Sequence, residues 1–330
     1  MIDGILIIDK PAGITSHDVV SRLRRILKMK RIGHTGTLDP FATGVLVMLI
    51  GQSTRLAQFL DKDSKSYEAV VRFGFETDTG DLTGSLKSEV QSSKCVSIDE
   101  LENVLEEFRG EIAQTPPMYS AKKIAGKKLY ELARAGIEVE RMSVQVMIYE
   151  LEIILSQSAQ RNIEEETKDQ KIIKDRQQDN LELETGNPEP SALDFGLRIS
   201  CSAGTYIRTL AEDIGRKIGM GAHLAALKRT GAGKFCLSKA VTIERLEEIV
   251  ASGKLQDILI SMNEALAHLP QVVLSTEDTR RTRNGLKLGF ENFEMKQDQP
   301  VRMLDENENL ISIGFYNSEQ KFIQPRIVMV

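Results

Sequence analysis

The stretch GHTGTLDPFATGVLVMLIG, residues 33–51, decides how the rest of the chain is read. Its first twelve residues set one carboxylate, Asp39, among three glycines, three threonines and one proline, with His34 five positions upstream. That composition makes a loop shaped by its backbone rather than by packed side chains. Pro40 biases Asp39 away from helical geometry towards an extended conformation. The loop then runs straight into GVLVMLIG, an apolar run of strand length. Two readings fit this stretch: an ordinary surface turn, or a carboxylate held in place for chemistry beside a strand.

Upstream, ILIIDKPAG reads as a strand running into a turn. TSHDVVSRLRRILKM follows with helical spacing, Ser16 as N-cap and Val20, Leu23 and Leu27 on one face. Arg22, Arg25 and Lys28 fall to the other side and give that helix, over 16–29, a basic outer surface. Downstream, SYEAVVRFGFETDTGDLTG alternates as a strand and then becomes a polar loop. IDELENVLEEFRG has a helical apolar stripe with Gly110 just past its end. A further helix is expected over KLYELARAG, strands over VQVMIYELEII and LDFGLRISCSAGTY, and helices over TYIRTLAEDIGRKIG and IERLEEIVASG. From about Pro270 onward, short apolar or alternating runs separated by Asn, Asp, Glu and Gly indicate a small β-rich domain. Its boundary is expected within residues 267–275.

Composition narrows the function classes. With 330 residues, 41% hydrophobic and 28% charged, the chain can bury a core of more than one domain. No apolar run reaches the roughly 20 residues that span a bilayer. The acidic residues flanking the apolar N-terminal run do not suit a secretory signal. Three widely spaced cysteines and four scattered histidines make neither a disulfide framework nor a zinc pattern. A cytoplasmic, reduced, metal-free protein is expected. The net charge of −5 speaks against a nucleic-acid partner, yet it is unevenly distributed. Residues 157–192 hold nine acidic and five basic side chains, whereas residues 19–34 carry six Lys or Arg and no acid. The first segment is read as a mostly disordered insertion joining two strands, and the second as a face that suits phosphates or simply solvent.

Dinucleotide and Walker fingerprints, Ser-His-Asp arrangements and H-E-x-x-H helices are lacking. TDTGD hints at a calcium loop, but the acid required at the twelfth position is missing. Four stretches stand out: GHTGTLDPFATG, KSYEAVVRFG, CSAGTYIRTLAEDIG and GAHLAALKRTGAGKF. Taken singly, Tyr67 reads as a packing residue, Tyr206 and Arg208 as a core aromatic and a surface ion-pair member, Leu227 as core and His34 as a turn residue.

Together, and in order with DKPAGITSHDVV and QTPPMYSAKKIAGKKLYELARAGIEVER, they resemble the bacterial tRNA pseudouridine synthase B (TruB) family over nearly the whole chain. The tail is similar to a PUA-type RNA-binding domain. The resemblance implies a mixed α/β (α+β) catalytic domain over 1–266, built on a central, largely antiparallel sheet, and a PUA-like domain over 267–330. It implies conversion of uridine-55 in the T arm of tRNA to pseudouridine, without cofactor or metal, by a monomer that needs no other protein.

Residue by residue, the resemblance makes Asp39 the catalytic carboxylate and Tyr67 the active-site tyrosine. It makes Tyr206 an aromatic beside the base, Arg208 the arginine that pairs with the carboxylate, and Leu227 an apolar wall. His34 occupies space left by the extruded base, and Lys10, Lys122 and Lys123 join it as RNA contacts. The chain departs from the family in three ways: Gln145 stands where a basic residue follows VER, the 157–192 insertion is long, and the charge is acidic. The competing readings are a non-catalytic RNA-binding or chaperone protein on the same fold, a guide-dependent synthase, and an RNA glycosidase that releases uracil.

Overall fold

A computed structural model describes residues 2–89, 96–120, 122–124, 126–154, 194–290 and 295–329. The acidic segment 157–192 lies outside the described residues. In chain order the first elements are β1 (Gly4–Lys10), α1 (Ser16–Ile26), β2 (Ile32–Thr35), β3 (Thr43–Ile50) and β4 (Lys65–Phe73). Next come α2 (Ile98–Glu107), β5 (Gly110–Gln114), β6 (Val144–Ile154), β7 (Asp194–Cys201), α3 (Ile207–Ile218) and β8 (Ala222–Ala232). The chain continues through α4 (Ile243–Ala251), β9 (Gln271–Val273), α5 (Thr276–Arg283) and β10 (Leu288–Gly289). It ends with β11 (Pro300–Leu304), β12 (Leu310–Asn317) and β13 (Phe322–Val328).

These elements form two units, one of residues 1–40, 44–62 and 235–330, the other of residues 41–43 and 63–234. In the first, β3 pairs antiparallel with both β1 and β2. Leu6 and Ile8 of β1, Leu46 and Met48 of β3, Val20 and Leu23 of α1 and Leu246 of α4 make its core. Burial of each such side chain contributes about 1.5–3 kcal/mol. α1 starts one residue earlier than its spacing suggests: Thr15, not Ser16, is the N-cap, closing a capping box with Asp18. It also ends at Ile26, and Lys28 takes a positive φ of 51° just beyond the C-cap. Ser16 is released from capping and turns inward.

The tail of the first unit makes a sheet in the order β9-β11-β12-β13-β10, with β9 and β11 parallel and the other pairs antiparallel. Val272, Leu288, Val301, Met303, Tyr316 and Ile323 form its own core. Its helix, α5, is absent from the expected pattern because it lacks an apolar stripe. Thr282 is its one buried residue, and the Ser275 hydroxyl caps its start.

In the second unit five strands run wholly antiparallel in the order β8-β4-β7-β6-β5. This agrees with the expected largely antiparallel architecture. α2 packs on β6 and α3, and α3 packs on β8. β4 alternates buried and less buried positions, so Lys65, Tyr67, Ala69, Val71 and Phe73 share the inner face. β8 carries two bulges on β4, one between Leu224 and Ala226 and one between Arg229 and Gly231. Across them the buried positions fall at Leu224, Leu227, Arg229 and Ala232. This interval of three, two and three residues is not the period of a regular strand.

Candidate active site

Asp39 is half-buried on the loop between β2 and β3, and both of its chain neighbours are tied down. The buried Ser16 hydroxyl accepts from Leu38 N–H at 2.9 Å and donates to Leu38 O at 3.1 Å. On the other side Pro40 O accepts from Gly13 N–H at 2.8 Å and from Lys10 Nζ at 3.1 Å. Lys10 also donates to Pro11 O at 2.8 Å and is fully buried. The structure therefore corrects the placement of Lys10 among RNA contacts: its ammonium is turned inward onto carbonyls that shape the loop. Gly36, with φ of 65°, makes the turn before Asp39, and its N–H donates to Asp61 Oδ1 at 3.1 Å. His34, paired with Met48 across β2 and β3, lines a cleft of about 330 Å³ with Gly36, Thr37, Gln58 and Asp61.

The basic surface of α1 is only partly free. Arg24 donates to Ile32 O, and Arg31, beyond the helix, donates to Thr54 and Gln52. Arg22 and Arg25 line a groove that also contains Glu244 and Glu247 from α4.

In the second unit, Tyr67 lies on β4 opposite Ile199 and Arg229, and is buried. Leu227, brought opposite Ala69 by the first bulge of β8, lines a cleft of about 390 Å³ with Phe41, Thr43, Val70, Leu82 and Ala226. Bulges re-aim side chains and occur beside active sites more often than elsewhere.

Tyr206 and Arg208 are brought together at the start of α3. Tyr206 is the residue before the helix, and Arg208, 5% exposed, lies in its first turn. The Arg208 guanidinium donates to Thr79 O and to Tyr119 O, each at 2.7 Å, and its Nε stands 3.9 Å from Asp81 Oδ2. Asp81, 4% exposed, also accepts from the Thr83 N–H at 2.9 Å and from the hydroxyls of Thr79 and Thr83. Gly80, at φ of 72°, permits this approach: a Cβ there would meet Glu212 Oε1 at 2.8 Å and Arg208 Cβ at 3.3 Å.

Asp81 is the residue that sequence reasoning passed over. TDTGD reads as a solvated loop, but Thr77 and Asp81 are buried and the loop is tied to β8 through Leu224. Repeated Thr and Asp in such a loop are the signal that could have found it, since these side chains satisfy buried backbone locally.

Other charges lie further along α3. Burial pushes the Glu76 carboxyl up, but Arg216, donating to both its oxygens, and Lys87 outweigh that and hold it below its usual range. Burial pushes the Cys201 thiol up to about 11, so it stays protonated and inert. Lys122 is half-buried, and its carbonyl accepts from Leu129 N–H. Lys123 belongs to a two-residue ladder with Lys127–Lys128, and its side chain lies outside the description. Among the described residues no group of three His, Cys, Asp or Glu converges to hold a metal ion, and no helix is long and apolar enough to cross a membrane.

Residues 24–173 match the model of the TruB family pseudouridylate synthase N-terminal domain, and residues 208–267 match that of the tRNA pseudouridylate synthase B C-terminal domain. The chain is 40% identical over 302 residues to the tRNA pseudouridine synthase B of Geobacillus thermodenitrificans, covering 92% of this chain and 91% of that one. It is 37% identical over 330 residues to that of Bacillus cytotoxicus, covering 99% and 97%. Among solved structures, an H/ACA RNP bound to a substrate RNA containing 2'-deoxyuridine has a chain similar at a TM-score of 0.67 and 23% identity. The match covers 99% of this chain and 85% of that chain. A chain of a Cbf5-Nop10-Gar1 complex is similar at 0.66 and 24%, covering 99% and 84%. At these identities the two structures speak for the fold alone.

Proposed function

The chain belongs to the TruB family of tRNA pseudouridine synthases and is an isomerase; from that premise we propose that it acts on uridine-55 in the T arm and that Asp39 carries the reaction. The observation that supports the assignment is the clamping of Leu38 and Pro40, which fixes the backbone on both sides of Asp39. Preorganisation of this kind lowers a barrier without cost at the moment of reaction.

The reaction breaks the C1′–N1 bond, turns the uracil and joins C1′ to C5. C5 then loses its proton and N1 gains one. Atoms and electrons balance within the nucleotide, so neither a redox partner nor an energy source is required. Glycosidases pair two carboxylates, one to protonate the leaving group and one as nucleophile or base. A synthase has to keep the detached uracil, and an activated water would be a liability. One carboxylate is the fitting set, and it opens either of two routes, attack at C1′ or proton abstraction at C2′.

Each remaining group has a role in this scheme. Arg208 keeps the carboxylate ionised against the tendency of burial to neutralise it. Tyr67 accepts the C5 proton, Tyr206 lies beside the base, and Leu227 excludes water. His34 fills the space the extruded base leaves, offsetting part of a flipping cost of a few kcal/mol. Lys122 and Lys123 contact phosphate, since A-form RNA is read by shape and backbone. Residues 1–266 act as the catalytic domain and 267–330 as a PUA-like RNA-binding domain. The protein works in the cytoplasm as a monomer without an obligatory partner.

The test is incubation of the purified protein with unmodified tRNA transcript, without guide RNA, followed by mapping of pseudouridine at single-nucleotide resolution. One modified site in the T arm, lost in Asp39→Ala while tRNA binding persists, is the expected result. Tight binding without modification would overturn it in favour of a binding or partner-dependent role.

A further inference from the structure

Gln114 is the last residue of β5 and is fully buried. Its carboxamide lies against the backbone of Tyr206: Nε2 donates to Tyr206 O at 3.2 Å, and Oε1 accepts from Tyr206 N–H at 3.0 Å. The side chain thus offers what a neighbouring strand would offer an extended residue. Tyr206 is extended, with φ of −99° and ψ of 106°, and its own side chain caps nothing. Five residues beyond Gln114, the carbonyl of Tyr119 accepts from Arg208 Nη2. Pro116 and Pro117 lie between these two points and restrict φ at both positions. The segment 114–119 therefore grips the start of α3 twice, once before the helix and once in its first turn.

We propose that Gln114 is a positioning residue for pseudouridine formation, holding the Tyr206 ring and, through the start of α3, the Arg208 guanidinium in the orientation the reaction uses. This rests on the assignment of Tyr206 and Arg208 to the site. A buried amide with both partners satisfied has one orientation of low energy, because any other strands polar groups in a medium of low dielectric. Few side chains can substitute. Asn is one methylene short. Glu, when ionised, accepts from the Tyr206 N–H but repels the Tyr206 carbonyl; protonated, it makes both bonds again.

The experiment measures single-turnover rates at saturating enzyme, counted per molecule competent to bind tRNA, for the wild type, Gln114→Ala and Gln114→Glu. A misplacement of about 1 Å can cost up to about 100-fold in rate, so a loss of about tenfold or more is expected for Gln114→Ala. Its tRNA dissociation constant should stay within about threefold, because the interaction serves the transition state rather than ground-state binding. For Gln114→Glu the ratio to the wild-type rate rises as pH is lowered across the neutral range. Wild-type rates in both variants, a loss confined to tRNA affinity, or a flat ratio would overturn the proposal. Should Gln114→Ala fail to fold, the pH dependence of Gln114→Glu decides alone. Tyr206→Ala and Arg208→Ala run in parallel: wild-type rates there overturn the site assignment with it, whereas losses there beside wild-type Gln114 variants overturn the positioning role only.

Discussion

The loop that carries Asp39 and the first turn of α3 hold their functional groups by different means. Around Asp39 the grip is on the flanking backbone and comes from close by in the sequence, Ser16 being 22 positions from Leu38 and Lys10 being 30 from Pro40. At α3 the grip falls partly on the guanidinium itself and comes from afar, Tyr119 and Thr79 lying 89 and 129 positions from Arg208. A locally tied loop keeps its shape as long as its own segment is folded. A turn held by distant buried partners has its shape only when the whole unit is packed. Damage to the first should therefore appear chiefly as lost rate, and damage to the second as lost stability together with rate.

The largest expected effect tests the first half of that contrast. Asp39→Asn keeps the loop's size and its backbone ties, and single-turnover product formation per folded molecule should fall by about a thousandfold or more. A residual rate within tenfold of wild type would remove Asp39 from the chemistry.

Next is Asp81→Ala, which takes from the buried Arg208 the carboxylate that stands 3.9 Å from its Nε. It should destabilise the protein by about 3 kcal/mol in denaturant unfolding, since removing one member of a buried ion pair is strongly destabilising. A loss below about 1 kcal/mol would mean that the two carbonyl bonds of Arg208 suffice, and the contrast between regions would weaken.

Ser16→Ala lies between the two regimes. Two backbone groups of Leu38 lose their partner at a cost of about 1–2 kcal/mol, and the rate per folded molecule should fall by about tenfold. A stability loss without any change in rate would show that Asp39 does not need its neighbours held.

The smallest effect concerns the far end of α3. The Glu76 carboxyl is held below its usual range, so its pairing stabilises the fold above the unfolded-state value and is lost as pH falls through the folded-state value. The gap in unfolding free energy between wild type and Arg216→Gln should thus be present near neutrality. It should close below about pH 4.5, and because Arg216 is partly exposed it should stay under about 1 kcal/mol. A gap that widens on acidification would contradict the pairing.

The same contrast explains what could be read from the chain alone. The Asp39 loop was legible because Gly36 and Pro40 act on their own neighbours. β1, β3 and α1 were legible because apolar spacing reports directly on which face is buried. Arg208 came through the resemblance, but its partner Asp81 did not, because a run of Thr, Asp and Gly looks solvated until a distant helix covers it. β8 escaped for another reason. Its bulges break the alternation that identifies strands, so GAHLAALKRTGAGKF shows no period. Lys10 misled because a lysine beside a loop reads as a surface charge, and nothing in the local sequence says that two carbonyls face it.

Those bulges have a consequence for how the segment can change. Along β8 an extra residue enters between Leu224 and Ala226 and another between Arg229 and Gly231, so Leu227 faces Ala69 rather than the exposed Glu68. Direction in a strand has only two values, and a residue inserted or deleted within a regular ladder reverses it for all that follow. A bulge is the exception, because its extra residue stands outside the count. Removing Ala225 would leave Leu224 opposite Val71 and Leu227 opposite Ala69 in an unbroken ladder, and removing one residue from each bulge would still keep Ala232 opposite Lys65. The bulges are thus the two places where this segment can lose a residue and keep its facing, whereas a single deletion between them would turn the rest of the strand over.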